Sequence, residues 1–202
     1  DAVRRGANVI FTTTPKLLLS SVRQAALHPD VKILNCSLNT SYPSVRTYYP
    51  RLYGAKFIKG AIAGTLTRDG CIGYVADYPT YGSIASINAF AQGARMVNAN
   101  ARIYLDWAHL RDGGAVGRLQ AQGIVYIDYL DRLAASTGTQ MGNRHNLALI
   151  QTHWGRLYQS LVRRVMEGSW KQEDQGSSAV NYWWGMEQGV VSVLCSRRLP
   201  TG

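Results

Sequence analysis

The chain has 202 residues, of which 46% are hydrophobic and 17% are charged. This composition excludes a disordered chain, and the length suffices for one large domain or two smaller lobes. No apolar run reaches the ~18 residues that a transmembrane helix needs. The net charge of +10 is compatible with nucleic acid, an anionic surface or an acidic ligand.

The basic residues are scattered along the chain. The densest groups are only pairs, at Arg4-Arg5, Arg163-Arg164 and Arg197-Arg198. No predicted helix carries a sustained basic stripe, so we expect a solvated surface and no specific binding of nucleic acid.

Motifs for catalysis or metal binding are absent from the sequence. It contains no Gly-x-Ser-x-Gly, no Walker loop and no His-Glu-x-x-His, and the cysteines Cys36, Cys71 and Cys195 form no Cys-x-x-Cys pair. Asp128 and Asp131 follow a predicted strand, where acid–base chemistry, sugar binding and a plain surface role are all open. We therefore expect no enzyme, no metal site and no cofactor.

The first half of the chain predicts a strand over 7–11, a helix that opens at Pro15, and a strand over 31–35, the size of one βαβ unit. Residues 39–50 are polar and aromatic and predict an irregular segment. A helix over 49–66 follows, with its apolar side formed by Leu52, Ala55, Ile58, Ile62 and Leu66. Its glycines Gly54, Gly60 and Gly64 favour close packing over a binding role.

The second half repeats the alternation after a turn at 68–70. Strands are predicted over 71–76, 102–106, 124–127, 181–185 and 190–194, and helices over 84–97 and 154–166. This pattern predicts an α/β fold with two Rossmann-like lobes and parallel sheets. We expect a first lobe over 1–70, joined by part of 181–202, and a second lobe over 71–180.

Aromatic and polar residues follow several predicted strands. In open α/β sheets, ligands bind beyond the carboxyl ends of the strands. The candidate ligand-binding residues chosen on this basis are Thr13, Tyr78, Tyr81, Trp107, Asp131 and Trp184. The loop with Tyr78 and Tyr81 is either a ligand platform or a surface loop whose tyrosines pack on the neighbouring lobe. For Trp154 and Trp183 we favour packing.

Six stretches share a pattern with one known family of proteins. They lie at 8–15, 28–36, 47–64, 72–76, 168–171 and 182–186, and the last of them reads Tyr-Trp-Trp-Gly-Met. Together they resemble the basic membrane protein family of solute-binding proteins, which includes bacterial purine nucleoside receptors. The resemblance covers most of the chain and is weakest between 108 and 146.

The resemblance implies a type I periplasmic-binding-protein fold in which two lobes close on a ligand. It implies that the loop with Tyr78 and Tyr81 supplies an aromatic ring that stacks on the base, and that Asp131 contacts ribose. Membrane subunits of an ABC importer are the implied partners, and a lipoprotein or periplasmic location follows. Some family members look cytosolic or regulatory, which gives the alternative of an intracellular sensor domain.

The chain departs from the family pattern in three places. A strand and helix usual before the first predicted strand are absent, a lysine usual near 186–189 is missing, and an acidic residue of the first lobe is not evident. We therefore expect a truncated first lobe whose strand over 7–11 is an exposed edge, and self-association through that edge.

Overall fold

The computed structural model describes residues 1–38, 42, 44–77, 81–109, 114–129, 147–170 and 180–200. Its strands are β1 (Val9–Thr12), β2 (Lys32–Cys36), β3 (Arg46–Pro50), β4 (Cys71–Ala76), β5 (Arg102–Trp107), β6 (Tyr126–Tyr129), β7 (Ala148–Thr152), β8 (Asn181–Trp184) and β9 (Val191–Cys195). Its α-helices are α1 (Leu18–Leu27), α2 (Tyr53–Leu66), α3 (Tyr81–Val97), α4 (Ala115–Ala121) and α5 (Trp154–Met166). The chain divides into two compact units, residues 1–51 with 153–190 and residues 52–152 with 191–202.

The first unit contains a parallel sheet with the strand order β1-β2-β3-β8. The helix α1 follows a short 3-10 turn that opens at Pro15, as the sequence predicts. The apolar stripe of α5 buries Leu157 and Leu161, and Gly168 follows the helix with φ +75°, a left-handed conformation that suits glycine.

The second unit contains a parallel sheet with the order β5-β4-β6 and a separate antiparallel pair, β7 with β9. Its core gathers Ile72 and Tyr74 of β4 with Phe90 and Ala94 of α3. The antiparallel pair was not predicted, because its two strands lie about 40 residues apart in sequence and neither signals its partner.

Close packing of α2 on α3 depends on glycine. A Cβ atom on Gly60 would lie 2.0 Å from the carbonyl oxygen of Phe90, and one on Gly93 would lie 1.9 Å from that of Phe57. Gly64 is equally constrained, at 2.5 Å from the carbonyl oxygen of Ala94. The prediction of a packing role is thus confirmed for Gly60 and Gly64.

Two predicted boundaries differ from the structure. The segment predicted as irregular contains β3, a central strand of the first sheet, and α2 begins at Tyr53 instead of residue 49. The division between units falls after Arg51, whereas we expected it at residue 70. The reason is that α2 packs against α3 and so belongs with the second sheet.

No helix in the described part of the chain combines the length and the apolar character that crossing a membrane would require.

Candidate ligand-binding site

A row of polar side chains crosses the first sheet at the carboxyl ends of β1 and β2 and at the amino ends of β3 and β8. Thr12, Asn35, Thr47 and Asn181 lie side by side, because each is the register partner of the next. Asn35 and Thr47 are fully buried, whereas Asn181 is exposed. Ligands of open α/β sheets bind at the carboxyl ends of the strands, so Thr12 and Asn35 at the ends of β1 and β2 form a candidate ligand-binding surface.

The amide of Asn35 is held in one orientation. Its Nδ2 donates to the Thr12 hydroxyl at 2.7 Å and to the carbonyl oxygen of Thr14 at 2.9 Å. A carbonyl oxygen can only accept, so the reversed amide would place two acceptors together. The Thr12 hydroxyl in turn donates to the carbonyl oxygen of Leu34 at 3.2 Å. Asn35 Oδ1 is therefore a fixed acceptor.

Strand β8 forms one edge of the first sheet and contains several aromatic residues. The predicted site residue Trp184 is half-buried, with its ring centroid 5.4 Å from that of Tyr182 in an edge-on arrangement. The Arg164 guanidinium lies over the Trp184 ring at 5.5 Å. These contacts engage the ring inside the first unit, which favours a packing role for Trp184.

An aromatic cluster covers the other face of the first sheet. The rings of Trp154 and Tyr158 are stacked at 5.9 Å, and Tyr48 meets Tyr158 edge-on at 5.7 Å. Burial raises the pKa of the Tyr48 hydroxyl, and its hydrogen-bonding contact with Tyr158 acts in the same direction. The packing role favoured for Trp154 agrees with this cluster.

The carboxyl ends of the second sheet carry an acidic and a basic side chain. Asp77 follows β4, and its carboxylate contacts the imidazole Nε2 of His109, which follows β5. The predicted site residue Trp107 ends β5 and is half-buried against the core of this unit. Beside it, Arg118 of α4 contacts Asp106 at 2.8 Å. Hydrogen-bonding groups and an aromatic ring thus lie at the ends of neighbouring strands of this sheet.

A buried charge cluster lies on the same sheet. Asp128 of β6 accepts a hydrogen bond from Lys56 at 2.8 Å and a shorter one from Lys59, and all three side chains have at most 2% exposure. The Lys56 ammonium also lies 4.9 Å from the centre of the Tyr74 ring. Burial disfavours the charged carboxylate, but the two ammonium groups outweigh it and hold the pKa of Asp128 below its usual value.

This cluster corrects two expectations that were drawn from the sequence. Asp128 was a candidate for acid–base chemistry, yet it is a buried partner of two lysines. The buried face of α2 contains Lys56 and Lys59, whereas the apolar pattern placed Ile58 and Ile62 there. Ile58 and Ile62 are only half-buried. The buried face of α2 could not be recognised from the sequence, because lysines are rarely buried unless they are paired.

The remaining predicted site residues have different outcomes. Thr13 follows β1 and is exposed, while Tyr81 is the first residue of α3. Tyr78 and Asp131 lie outside the described residues. Sequence reasoning missed Asn35, although a polar residue at the end of an apolar strand is the signal that selected Thr13.

In the described part of the chain, no group of three His, Cys, Asp or Glu side chains is placed to hold a metal ion.

Comparisons with known proteins identify a family and two relatives. The family model described as PnrA-like ABC transporter substrate-binding proteins matches residues 1–139. The chain is 25% identical to a purine-binding protein of Brucella abortus over 98% of its length, and 26% identical to a putative ABC transporter glucose-binding protein of Haloferax volcanii over 91%. It spans 60% and 50% of the lengths of these two relatives.

Two solved structures share the fold. A transcriptional activator of the comK gene from Bacillus halodurans has a TM-score of 0.71 and 17% identity, covering 98% of this chain and 75% of that one. An ABC transporter solute-binding protein from Conexibacter woesei has a TM-score of 0.69 and 14% identity, covering 99% and 74%. Because the family model matches well over half of the sequence, the chain belongs to the PnrA-like ABC transporter substrate-binding proteins, the basic membrane protein family that its sequence resembles.

Proposed function

We propose that the chain is the ligand-binding part of a solute receptor that serves an ABC importer, and that its ligand is a purine nucleoside or a similar planar, hydroxylated molecule. The observation that carries this proposal is the match to a purine-binding relative over 98% of the chain, inside a family of substrate-binding proteins. Polar and aromatic side chains at the carboxyl ends of both parallel sheets support it.

Binding measurements test the proposal directly. Native mass spectrometry of the purified protein should show a co-purified nucleoside. After removal of that ligand, calorimetry should show binding of adenosine, inosine or guanosine. Glucose is the control compound, because one relative is named as a putative glucose-binding protein. Binding of glucose without any nucleoside would replace the proposed ligand class, and binding of neither would contradict the proposal.

The residues proposed to hold the ligand are Tyr78, Tyr81 and Asp131, as the family resemblance implies. Replacing a stacking tyrosine by alanine should weaken nucleoside binding by about 1–3 kcal/mol, the range found for base stacking on aromatics. Tyr53→Ala is the matched control, because Tyr53 is an exposed tyrosine of α2. Equal affinities for all of these variants would exclude this assignment.

A second candidate is an intracellular regulatory domain that uses the same fold as a sensor. The observation behind it is the fold shared with a protein described as a transcriptional activator, at a TM-score of 0.71. The two candidates place the protein differently, as a membrane-anchored lipoprotein or periplasmic protein in one case and as a cytoplasmic protein in the other. Cell fractionation of the native host separates them, since only a receptor of an importer should leave the cytoplasm.

A further inference from the structure

Three buried polar atoms of the first unit have no hydrogen-bond partner among the described residues. They are Asn35 Oδ1, Ser37 Oγ and Trp183 Nε1. An unpaired buried polar group disfavours folding, so its presence calls for a physical reason. Their chemistry is mixed, because the amide oxygen accepts, the indole N–H donates and the hydroxyl does both.

The sheet register places the three groups in one region. Ser37 directly follows β2, and its backbone N–H donates to the carbonyl oxygen of Asn35 at 3.0 Å, so both residues lie at the carboxyl end of this strand. Asn35 is the partner of Thr47, and the Thr47 hydroxyl donates to Asn181, which shows that these side chains share one face. Trp183 is two residues beyond Asn181 and therefore points to that face as well.

The span between the groups fits a small molecule. Strands β2 and β8 flank β3, so Asn35 and Trp183 are separated sideways by about two strand spacings, ~10 Å. Asn35 Oδ1 cannot turn away, because the hydrogen bonds to Thr12 and Thr14 use both amide hydrogens. The region therefore presents a fixed acceptor on one strand and a donor on another.

We propose that Asn35, Ser37 and Trp183 form a subsite that reads a ligand edge carrying both hydrogen-bond donors and acceptors, such as a purine base edge or a ribose diol. This inference rests on the proposed function and adds the residues that set its specificity. A site built to pair with a ligand donor discriminates against an analogue that lacks the donor, because its own acceptor is then left unpaired.

The experiment measures discrimination instead of affinity alone. The probes are adenosine and three analogues that each lack one donor group: purine riboside, 2′-deoxyadenosine and 3′-deoxyadenosine. Dissociation constants are measured for the unmodified protein and for Asn35→Ala, Ser37→Ala and Trp183→Phe. A ratio of two constants from one preparation is insensitive to any misfolded fraction.

The variants are chosen so that folding does not obscure the result. Ser37→Ala and Trp183→Phe remove only groups that make no hydrogen bond within the described structure, and the second variant keeps an aromatic ring. Asn100→Ala is the matched control, because this exposed asparagine precedes β5 and lies outside the candidate ligand-binding surface. It should leave every ratio unchanged.

We expect at least one analogue to bind the unmodified protein about 5- to 100-fold more weakly than adenosine, the size of one hydrogen bond to a buried partner. That ratio should fall towards one in the variant that lacks the partner group. Unchanged ratios in all three variants overturn the subsite, as they would if bound water alone satisfied these atoms. Absence of binding by the unmodified protein overturns the proposed function and the subsite together.

Discussion

The side chain of Asp128 is fully buried between two equally buried lysines. Removing three charges from water carries a desolvation penalty, and their mutual attraction offsets this penalty only while all partners are present. Removing one partner leaves an uncompensated charge in the protein interior. The cluster is therefore a sensitive point in the stability of the second unit.

We predict that Asp128→Asn destabilises the protein by about 3–5 kcal/mol at pH 7, the range for breaking a buried ion pair. Urea unfolding measures the difference in the free energy of unfolding. Asp106→Asn is the matched control, because its partly exposed pair with Arg118 should contribute no more than ~1 kcal/mol. Similar losses in the two variants would show that the buried cluster contributes little.

The pH dependence of the same variant provides a second check. The folded-state pKa of Asp128 lies below its ordinary value of 3.8, so its stabilising contribution is complete above that value. The contribution is lost as the pH falls through the lowered folded-state pKa. The difference between Asp128→Asn and the unmodified protein should thus be constant above about pH 5 and shrink in acid. A difference that shrinks already near pH 7 would contradict the assignment.

The three cysteines should react at different rates. Burial raises the pKa of the Cys36 thiol to about 11, whereas Cys195 is exposed and Cys71 is intermediate. Only the thiolate is nucleophilic, so at pH 8 we expect Cys195 to be alkylated first and Cys36 only after unfolding. Peptide mapping by mass spectrometry after timed labelling measures the order. Early labelling of Cys36 in the folded protein would contradict its burial.

At the scale of single elements, the tightest geometric constraint is the contact between α2 and α3. We predict that Gly60→Ala destabilises the protein by at least 1–3 kcal/mol, roughly the range for overpacking, because the new methyl group would meet backbone that cannot rotate away. Gly117→Ala on α4 is the matched control, since nothing lies within 4 Å of its added Cβ. That substitution should be neutral or stabilise by up to about 1 kcal/mol. Thermal melting of both variants compares them, and equal melting temperatures would disprove the close contact.

Elements with a strong local signal were predictable from sequence, and those that depend on distant partners were not. The regular apolar spacing of α5 and the apolar run of β4 match their predicted positions closely. Strand β3 was missed because its Arg46 and Thr47 are polar, and their burial depends on hydrogen bonds to Tyr182 and Asn181 far along the chain. No local pattern encodes such partners.

The candidate site shows the same limit. Positions after strands could be selected from sequence, which is how Thr13, Trp107 and Trp184 were chosen. Whether a side chain is then buried, exposed or engaged by a neighbour depends on tertiary contacts, such as that of Arg164 with Trp184. The fixed amide of Asn35 required the register of β1 and β2 as well as its own position.

At the scale of the whole molecule, the net charge of +10 is spread over the sequence without one recognition element. We predict that binding to a random DNA duplex at about 0.15 M salt is no tighter than the nonspecific range of roughly 10⁻⁴–10⁻⁶ M. Fluorescence anisotropy measures it, with a salt titration as the control for purely electrostatic binding. A sub-micromolar, sequence-dependent dissociation constant would overturn this prediction.

The edge of the first sheet gives the last prediction. Within the described residues β1 pairs only with β2, and beside it lies a cavity of about 190 Å³ whose lining includes the apolar residues Ile10, Leu17 and Ile33. An edge strand with unpaired backbone groups is a template for pairing with another chain. We therefore predict concentration-dependent self-association of this 202-residue chain.

Salt distinguishes such association from charge-driven aggregation with anionic contaminants. Two copies that each carry +10 repel one another, and added salt screens this repulsion. The mass measured by light scattering should therefore rise with protein concentration, and more steeply at about 0.5 M salt than at about 0.05 M. Association through bound polyanions would instead weaken as salt increases, because it depends on attraction between opposite charges. A monomer at every concentration in both salts would show that the edge of β1 is already protected.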